Sequence, residues 1–199
     1  MKSPFMDEAL ELARKGIGRT SPNPTVGAVL VLDGQVVGRG YTQGRHAEVV
    51  AIADAGEQAR GATMYVTLEP CSHFGRTPPC ADAVVAAGVA RVVAAMQDPN
   101  PLVSGKGFRR LVDAGIDVEV ASEYSEAASQ LNEAFLHSMR TGRPLVTLKA
   151  AVTLDGKIAA LPFFRWTLLG DLFYVGVFFG LHSLLSRAVA NRERVQATA

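Results

Sequence analysis

His46 and Glu48, in the run His46-Ala47-Glu48, Cys71 after Pro70, and Cys80 are the side chains of this sequence best able to do chemistry together. One imidazole and two thiolates are three donors of the kind zinc prefers, and three protein ligands leave a tetrahedral ion its fourth position for water. That open arrangement belongs to catalytic zinc, whereas structural zinc is closed by four protein ligands. Other transition metals bind the same donors. Glu48 lies two residues beyond His46, close enough to reach such a water without ligating. Zinc lowers the pKa of bound water to about 7, and a neighbouring carboxylate can then relay its protons. A helix start at Cys71, or the metal itself, would favour the thiolate there. Taken singly these pieces say little, because buried free thiols are common and a lone His-x-Glu is weak.

The elements that must position them read as alternating helices and strands. Asp7 to Lys15 has helical apolar spacing, stopped by Gly16 and Gly18, and Ser21-Pro22-Asn23-Pro24 is turn chemistry. Thr25–Leu32 and Gln35–Gly40 are β-branched runs joined by Asp33-Gly34, a hairpin signal whose two turn positions need positive φ. His46 to Ala55 is predicted helical, and Ala62–Leu68 is a compact strand. Cys80 to Ala87, Gly107–Ala114 and one long helix over Ser125–Arg140 alternate with strands at Arg91–Ala95 and Ile116–Ala121. This alternation predicts an α/β layered sheet. His-x-Glu at the start of one helix, with Pro-Cys and a second Cys following a strand 25 residues later, is the order seen in zinc nucleobase deaminases. The spacing departs from Cys-x-x-Cys, because residues 72–79 intervene between the cysteines.

That longer loop resembles one subfamily. TLEPCSHFGRTPPC (Thr67–Cys80), SPNPTVGAVLV (Ser21–Val31), DPNPLVSGKG (Asp98–Gly107) and LNEAFLHSMRTGRP (Leu131–Pro144) together resemble the deaminase half of the bifunctional riboflavin-biosynthesis deaminase/reductase family, over about residues 3–148. The resemblance implies a cytidine-deaminase-like α/β/α sandwich around a five-stranded mixed sheet. It implies hydrolytic removal of the C2 amine of 2,5-diamino-6-(5-phosphoribosylamino)pyrimidin-4(3H)-one, giving the uracil and ammonia. It also implies that His46, Cys71 and Cys80 hold Zn2+, that Glu48 is the catalytic acid/base, and that the chain assembles into a homo-oligomer. Asn23, His73, Arg76, Thr77, Asp98 and Asn100 fall where the family lines its substrate pocket, although for Asn23 and Asn100 a plain turn-forming role is equally consistent. Arg76, Arg45 and Lys106 are candidate phosphate partners, since an anion needs charge-assisted donors; Arg45 and Lys106 read equally well as solvated surface cations.

Two departures from the family pattern stand out. After Gly40-Tyr41 comes Thr42 where relatives carry a histidine, and only Gln43-Gly44-Arg45 precede His46, so a substrate-facing group is missing from a shortened loop. Residues 146–160 look like the first strand of the family's reductase domain, with Lys149 and Asp155 in place, but its continuation is absent and no glycine-rich dinucleotide loop follows. Reductase activity is not expected. Leu161–Leu185 is instead strongly apolar and aromatic, and a polar tail bears Arg187, Arg192 and Arg194. Trp166 to Ser186 would span roughly 31 Å as a helix, near bilayer thickness, but Asp171 interrupts it and Leu172–Ser186 alone is short for a span. Three readings stay open for 161–199: a membrane-associated hydrophobic helix, a helix packed on the deaminase domain or a partner, and a fusion or frameshift remnant. The expected division is thus 1–145, 146–160 and 161–199.

Composition closes off several other classes. Among 199 residues, 48% are hydrophobic and 20% charged, an ordinary globular balance, and a net charge of +1 gives no field for nucleic acid. Two cysteines make no disulfide framework and the first residues have no apolar signal core, so a cytoplasmic location is expected. Two rivals to the expected activity remain: a deaminase of another nucleobase or nucleoside, and a non-catalytic domain tethered by its tail.

Overall fold

The computed structural model describes residues 3–73, 78–100 and 103–148, with Val177 alone beyond them. The chain divides into two units, Met1–Val146 and Thr147–Ala199. The expected C-terminal hydrophobic helix and the reductase-like strand beyond Leu148 lie outside the described residues. Among the described residues, no helix is long and apolar enough to cross a membrane.

The first unit begins with α1 (Pro4–Arg14), where Pro4 sits at the first turn and needs no donor there. Its buried face is Met6, Ala9, Leu10, Leu12 and Ala13. β1 (Gly27–Leu32) and β2 (Gln35–Tyr41) form the expected hairpin, and Asp33 (φ 50°) and Gly34 (φ 77°) both adopt the left-handed region. A bulge sits between Leu30 and Val31, where the register shifts so that Val31 faces Val36. Then come α2 (Ala47–Ala55), β3 (Thr63–Val66), α3 (Cys80–Ala87), β4 (Arg91–Ala94), α4 (Lys106–Asp113) and β5 (Asp117–Val120).

The five strands form one sheet in the order β2-β1-β3-β4-β5. β1 runs antiparallel to both β2 and β3, while β3, β4 and β5 are mutually parallel, which makes the sheet mixed. Helices cover both faces. A side chain at Gly27 would run into Ala9 and Ala13 of α1, whereas one at Gly40, the partner of Ala28, would run into Ala47 of α2. Adjacent residues of β1 point to opposite faces, so α1 and α2 lie on opposite sides of the sheet. α2, α3 and α4 pack in series on their side, and α1 packs with α5 (Ser125–Leu131). The core fills the sheet's middle with Val29, Leu30, Met64, Val66 and Val92, all fully buried. The α/β/α sandwich around a five-stranded mixed sheet is therefore present.

One expected element differs. The long helix over Ser125–Arg140 is two helices, α5 and α6 (Glu133–Thr141), separated at Asn132, whose backbone (φ −115°, ψ 21°) leaves the helical region. Its buried side chain explains the break. Asn132 Oδ1 accepts from the Thr25 N–H (2.7 Å), and Asn132 Nδ2 donates to the Thr25 carbonyl (2.9 Å). A long-range, two-point grip on another backbone segment outweighs one helical turn, because unpaired buried peptide groups at Thr25 would cost about 1–3 kcal/mol.

Candidate active site

The site lies where α2 and α3 begin. His46 is the N-cap of α2, held in extended conformation (φ −70°, ψ 146°), and its carbonyl accepts from the Val50 N–H to start the helix. Ala47, Ala51 and Ala55 bury the same face, so α2 settles close upon β2 and fixes where His46 stands. Cys80 is the first residue of α3 and is buried. Cys71 follows the strand-end segment Thr67–Pro70, and its sulfur accepts the Cys80 N–H at 3.3 Å, so this thiol caps the N-terminus of α3.

These placements bring the three sequence-predicted ligands together. His46 Nδ1 lies 3.1 Å from Cys80 Sγ and 3.7 Å from Cys71 Sγ, and the three donor atoms all fall within 4.8 Å of one another. In tetrahedral zinc geometry, an N-to-S edge is about 3.6 Å, so the donor set has the right spacing for one small ion. Its protonation also fits. Cys71 is held down to about 4, first by its hydrogen bond with Cys80 and further by His46. Cys80 is pushed up, since it holds the proton that it shares with Cys71 and is itself buried. His46 is raised, chiefly by its hydrogen bond to Cys71. The pair thus favours a thiolate at Cys71, and the proton held at Cys80 is the one a cation bound by both sulfurs would displace. Among the described residues, no other group of His, Cys, Asp and Glu has metal-ligand spacing.

Glu48 is buried in the first turn of α2, and burial pushes its carboxyl up to about 7, helped by the charge of Cys71 and opposed by His46. A carboxyl that titrates near neutrality beside three metal donors can both take and return a proton.

The expected substrate residues are placed less evenly. Asp98 is buried, close enough to Glu69, Cys71 and His73 to feel their charge, and its carboxylate accepts the Asn100 N–H at 2.8 Å. Burial and the negative groups around it raise its pKa. Asn100 is half-buried, whereas Asn23 and His73 are exposed. Arg76 and Thr77 lie outside the described residues. Arg45 and Lys106, the other phosphate candidates, are exposed. At Thr42, where the family resemblance leads to the expectation of a histidine, the hydroxyl accepts the Val26 N–H (3.1 Å) and the side chain is buried.

Sequence reasoning passed over two buried residues that tie the site's loops together. One is Asn132; the other is Glu69, whose carboxylate accepts four backbone N–H groups of residues 98–108. The available signal was an acid in an otherwise apolar run, directly before Pro70-Cys71, where an ionised group must find donors.

Comparison with known proteins agrees with this geometry. Residues 1–96 match the model of the cytidine and deoxycytidylate deaminase zinc-binding region. Residues 149–194 match a different model, a family of unknown function (DUF6580). The riboflavin biosynthesis protein RibD of Escherichia coli is 60% identical over 158 residues, covering 78% of this chain and 43% of that protein. The structure of Acinetobacter baumannii RibD superposes with a TM-score of 0.73 at 54% identity, over 77% of this chain and 44% of that one. A diaminohydroxyphosphoribosylaminopyrimidine deaminase/5-amino-6-(5-phosphoribosylamino)uracil reductase from Thermotoga maritima gives a TM-score of 0.72 at 46% identity, over 78% and 46% of the two chains. The chain thus spans less than half the length of these relatives.

Proposed function

We propose that the N-terminal unit, a zinc-deaminase domain of the RibD type, hydrolyses 2,5-diamino-6-(5-phosphoribosylamino)pyrimidin-4(3H)-one to 5-amino-6-(5-phosphoribosylamino)uracil and ammonia. One observation carries the reading: the buried Glu48 stands in the first turn of α2 beside the clustered His46, Cys71 and Cys80 donors, in a domain over half identical to RibD of E. coli. His46, Cys71 and Cys80 would hold the zinc, which when bound supplies a Lewis acid and a water ionisable near neutral pH. Glu48 takes the proton that water gives up as its oxygen bonds to C2, and delivers it to the departing amine. The C2–N bond then breaks, the remaining hydroxyl proton passes to the adjacent ring nitrogen, oxygen stays as the carbonyl, and ammonia leaves. Burial raises the affinity of Glu48 for that proton and so makes it a better base towards the water.

Asp98 and Asn100 would line the ring end of the pocket, with Asn23, His73, Arg76 and Thr77 on its rim. The test is ammonia release from the ribotide by the zinc-loaded chain, with Glu48→Ala as the blank. Turnover no better than the blank, with one zinc per chain, would sink the reading. A non-catalytic role would then be favoured, and its motivating observation is Thr42, which turns into β1 and leaves no side chain to contact substrate at that position. A cytosine and nucleoside panel in the same assay separates the third reading.

For the whole chain, we propose the division 1–145, 146–160 and 161–199. The break between Val146 and Thr147 supports the first boundary, whereas the separate family match over 149–194 runs across the second. A cytoplasmic homo-oligomer, with 166–186 associating with membrane, is the assembly we read from the sequence. Light scattering and fractionation test it, and recovery of the chain as a monomer in the soluble fraction would refute both parts.

A further inference from the structure

Glu69 is 3% exposed, and its carboxylate is fully committed. Oε2 accepts the N–H groups of Asp98 (3.1 Å) and Gly105 (2.9 Å), and Oε1 those of Gly107 (2.9 Å) and Phe108 (3.3 Å). With two donors on each oxygen, no lone pair in the carboxylate plane is left for a metal or a water. Its backbone N–H is tied as well, to the carbonyl of Met96 at 3.0 Å. Among the described residues, the four side-chain partners of Glu69 all come from one stretch, residues 98–108, which also carries Asn100. Two residues further along the chain stands Cys71. The carboxylate also fills the N-terminus of α4, where an anion would otherwise find donors. Gly107 makes the fit possible, because a Cβ there would stand 2.0 Å from the Pro70 carbonyl and 3.0 Å from Glu69 Oε1.

We propose that Glu69 is a positioning residue that fixes the 98–108 segment to the metal-bearing segment, and so sets affinity for the pyrimidine without touching substrate or metal. The proposal rests on the deaminase reading and on Asp98 and Asn100 meeting the substrate. A four-donor carboxylate holds the two walls at one separation, so loosening it lets Asp98 and Asn100 drift from the ring while the metal donors keep their places. A residue serving only the fold would lower the melting temperature and the active fraction and leave KM unchanged.

The test uses the full zinc-loaded chain. Glu69→Gln keeps the shape but turns two of the four N–H groups towards an amide NH2. Amide exchange at Gly105, Gly107 and Phe108 should speed up at least about tenfold. KM for the ribotide should rise about tenfold, kcat should fall much less, and zinc should stay at one per chain. Glu69→Asp, which keeps the charge but is one methylene too short, should fall between the two. Unchanged exchange, or faster exchange with unchanged KM, overturns the proposal. Loss of zinc in a folded variant overturns it too, and so does failure of both variants to fold, because Glu69 would then serve the metal or the fold itself. If the parent chain releases no ammonia, the deaminase reading fails first; the exchange data and the binding of the unreacted ribotide then decide whether Glu69 sets the loop and its affinity.

Discussion

The metal corner and the proposed substrate rim are built on different principles. At the corner, every group is tied to a regular element: His46 caps α2, Glu48 lies in its first turn, Cys80 begins α3, and Cys71 caps α3 through its sulfur. At the rim, Asn23 and His73 sit exposed on loops. The backbone beside the first is held by Asn132 from 107 residues away, and the 98–108 segment by Glu69 from about 30 to 40 positions upstream. The contrast separates reactivity from recognition. Helix starts docked on a sheet give the corner its geometry and its proton affinities, and remote buried side chains give the rim its shape.

The sharpest way to break the corner is to remove a donor. Cys71→Ser should lose zinc and activity together, a fall of at least about a thousandfold, read by metal content and ammonia release. Next, Glu48→Ala should keep its zinc yet lose about 10²–10⁴-fold in turnover, which divides the proton relay from the ligand set. Zinc loss in Glu48→Ala, or retained turnover, would merge the two roles.

Rim variants should act on stability and affinity instead. Asn132→Ala strips partners from both peptide groups of Thr25 and should cost about 1–3 kcal/mol in denaturant unfolding, with zinc still bound; unaltered stability would show that Thr25 finds other partners. The smallest effect concerns Asp98. Its folded-state pKa is raised above 3.8, so the folded chain binds that proton more tightly than the unfolded chain does. The resulting stability is present below 3.8 and is lost as pH rises through the folded value. Asp98→Asn should flatten that part of the decline in melting temperature, and an identical slope in both chains would remove Asp98 as its source.

The corner was readable in the sequence because its signals are local. His46, Cys71 and Cys80 are donor types with few bland uses in combination, and Asp33-Gly34 announced the turn between β1 and β2 that leads the chain towards them. The rim's supports were not readable, because each depends on a partner far away in sequence. Asn132 sits inside a pattern that is helical by periodicity, and nothing local shows that its amide must serve Thr25. Glu69 reads as one acid in an apolar run until the 98–108 segment folds over it. At Thr42 the family pattern leads to the expectation of a histidine, and the fold shows what the threonine does instead: it closes the end of the hairpin against Val26.

The tight Asp33-Gly34 turn stands at the opposite end of β2 from Tyr41 and the approach to His46. It is exposed, and a side chain added at Gly34 would meet nothing within 4 Å. This makes the hairpin tip a natural attachment point. A fluorophore or surface tether fixed at Asp33 would sit at the far end of β2 from the approach to His46, and would leave the reaction chemistry undisturbed.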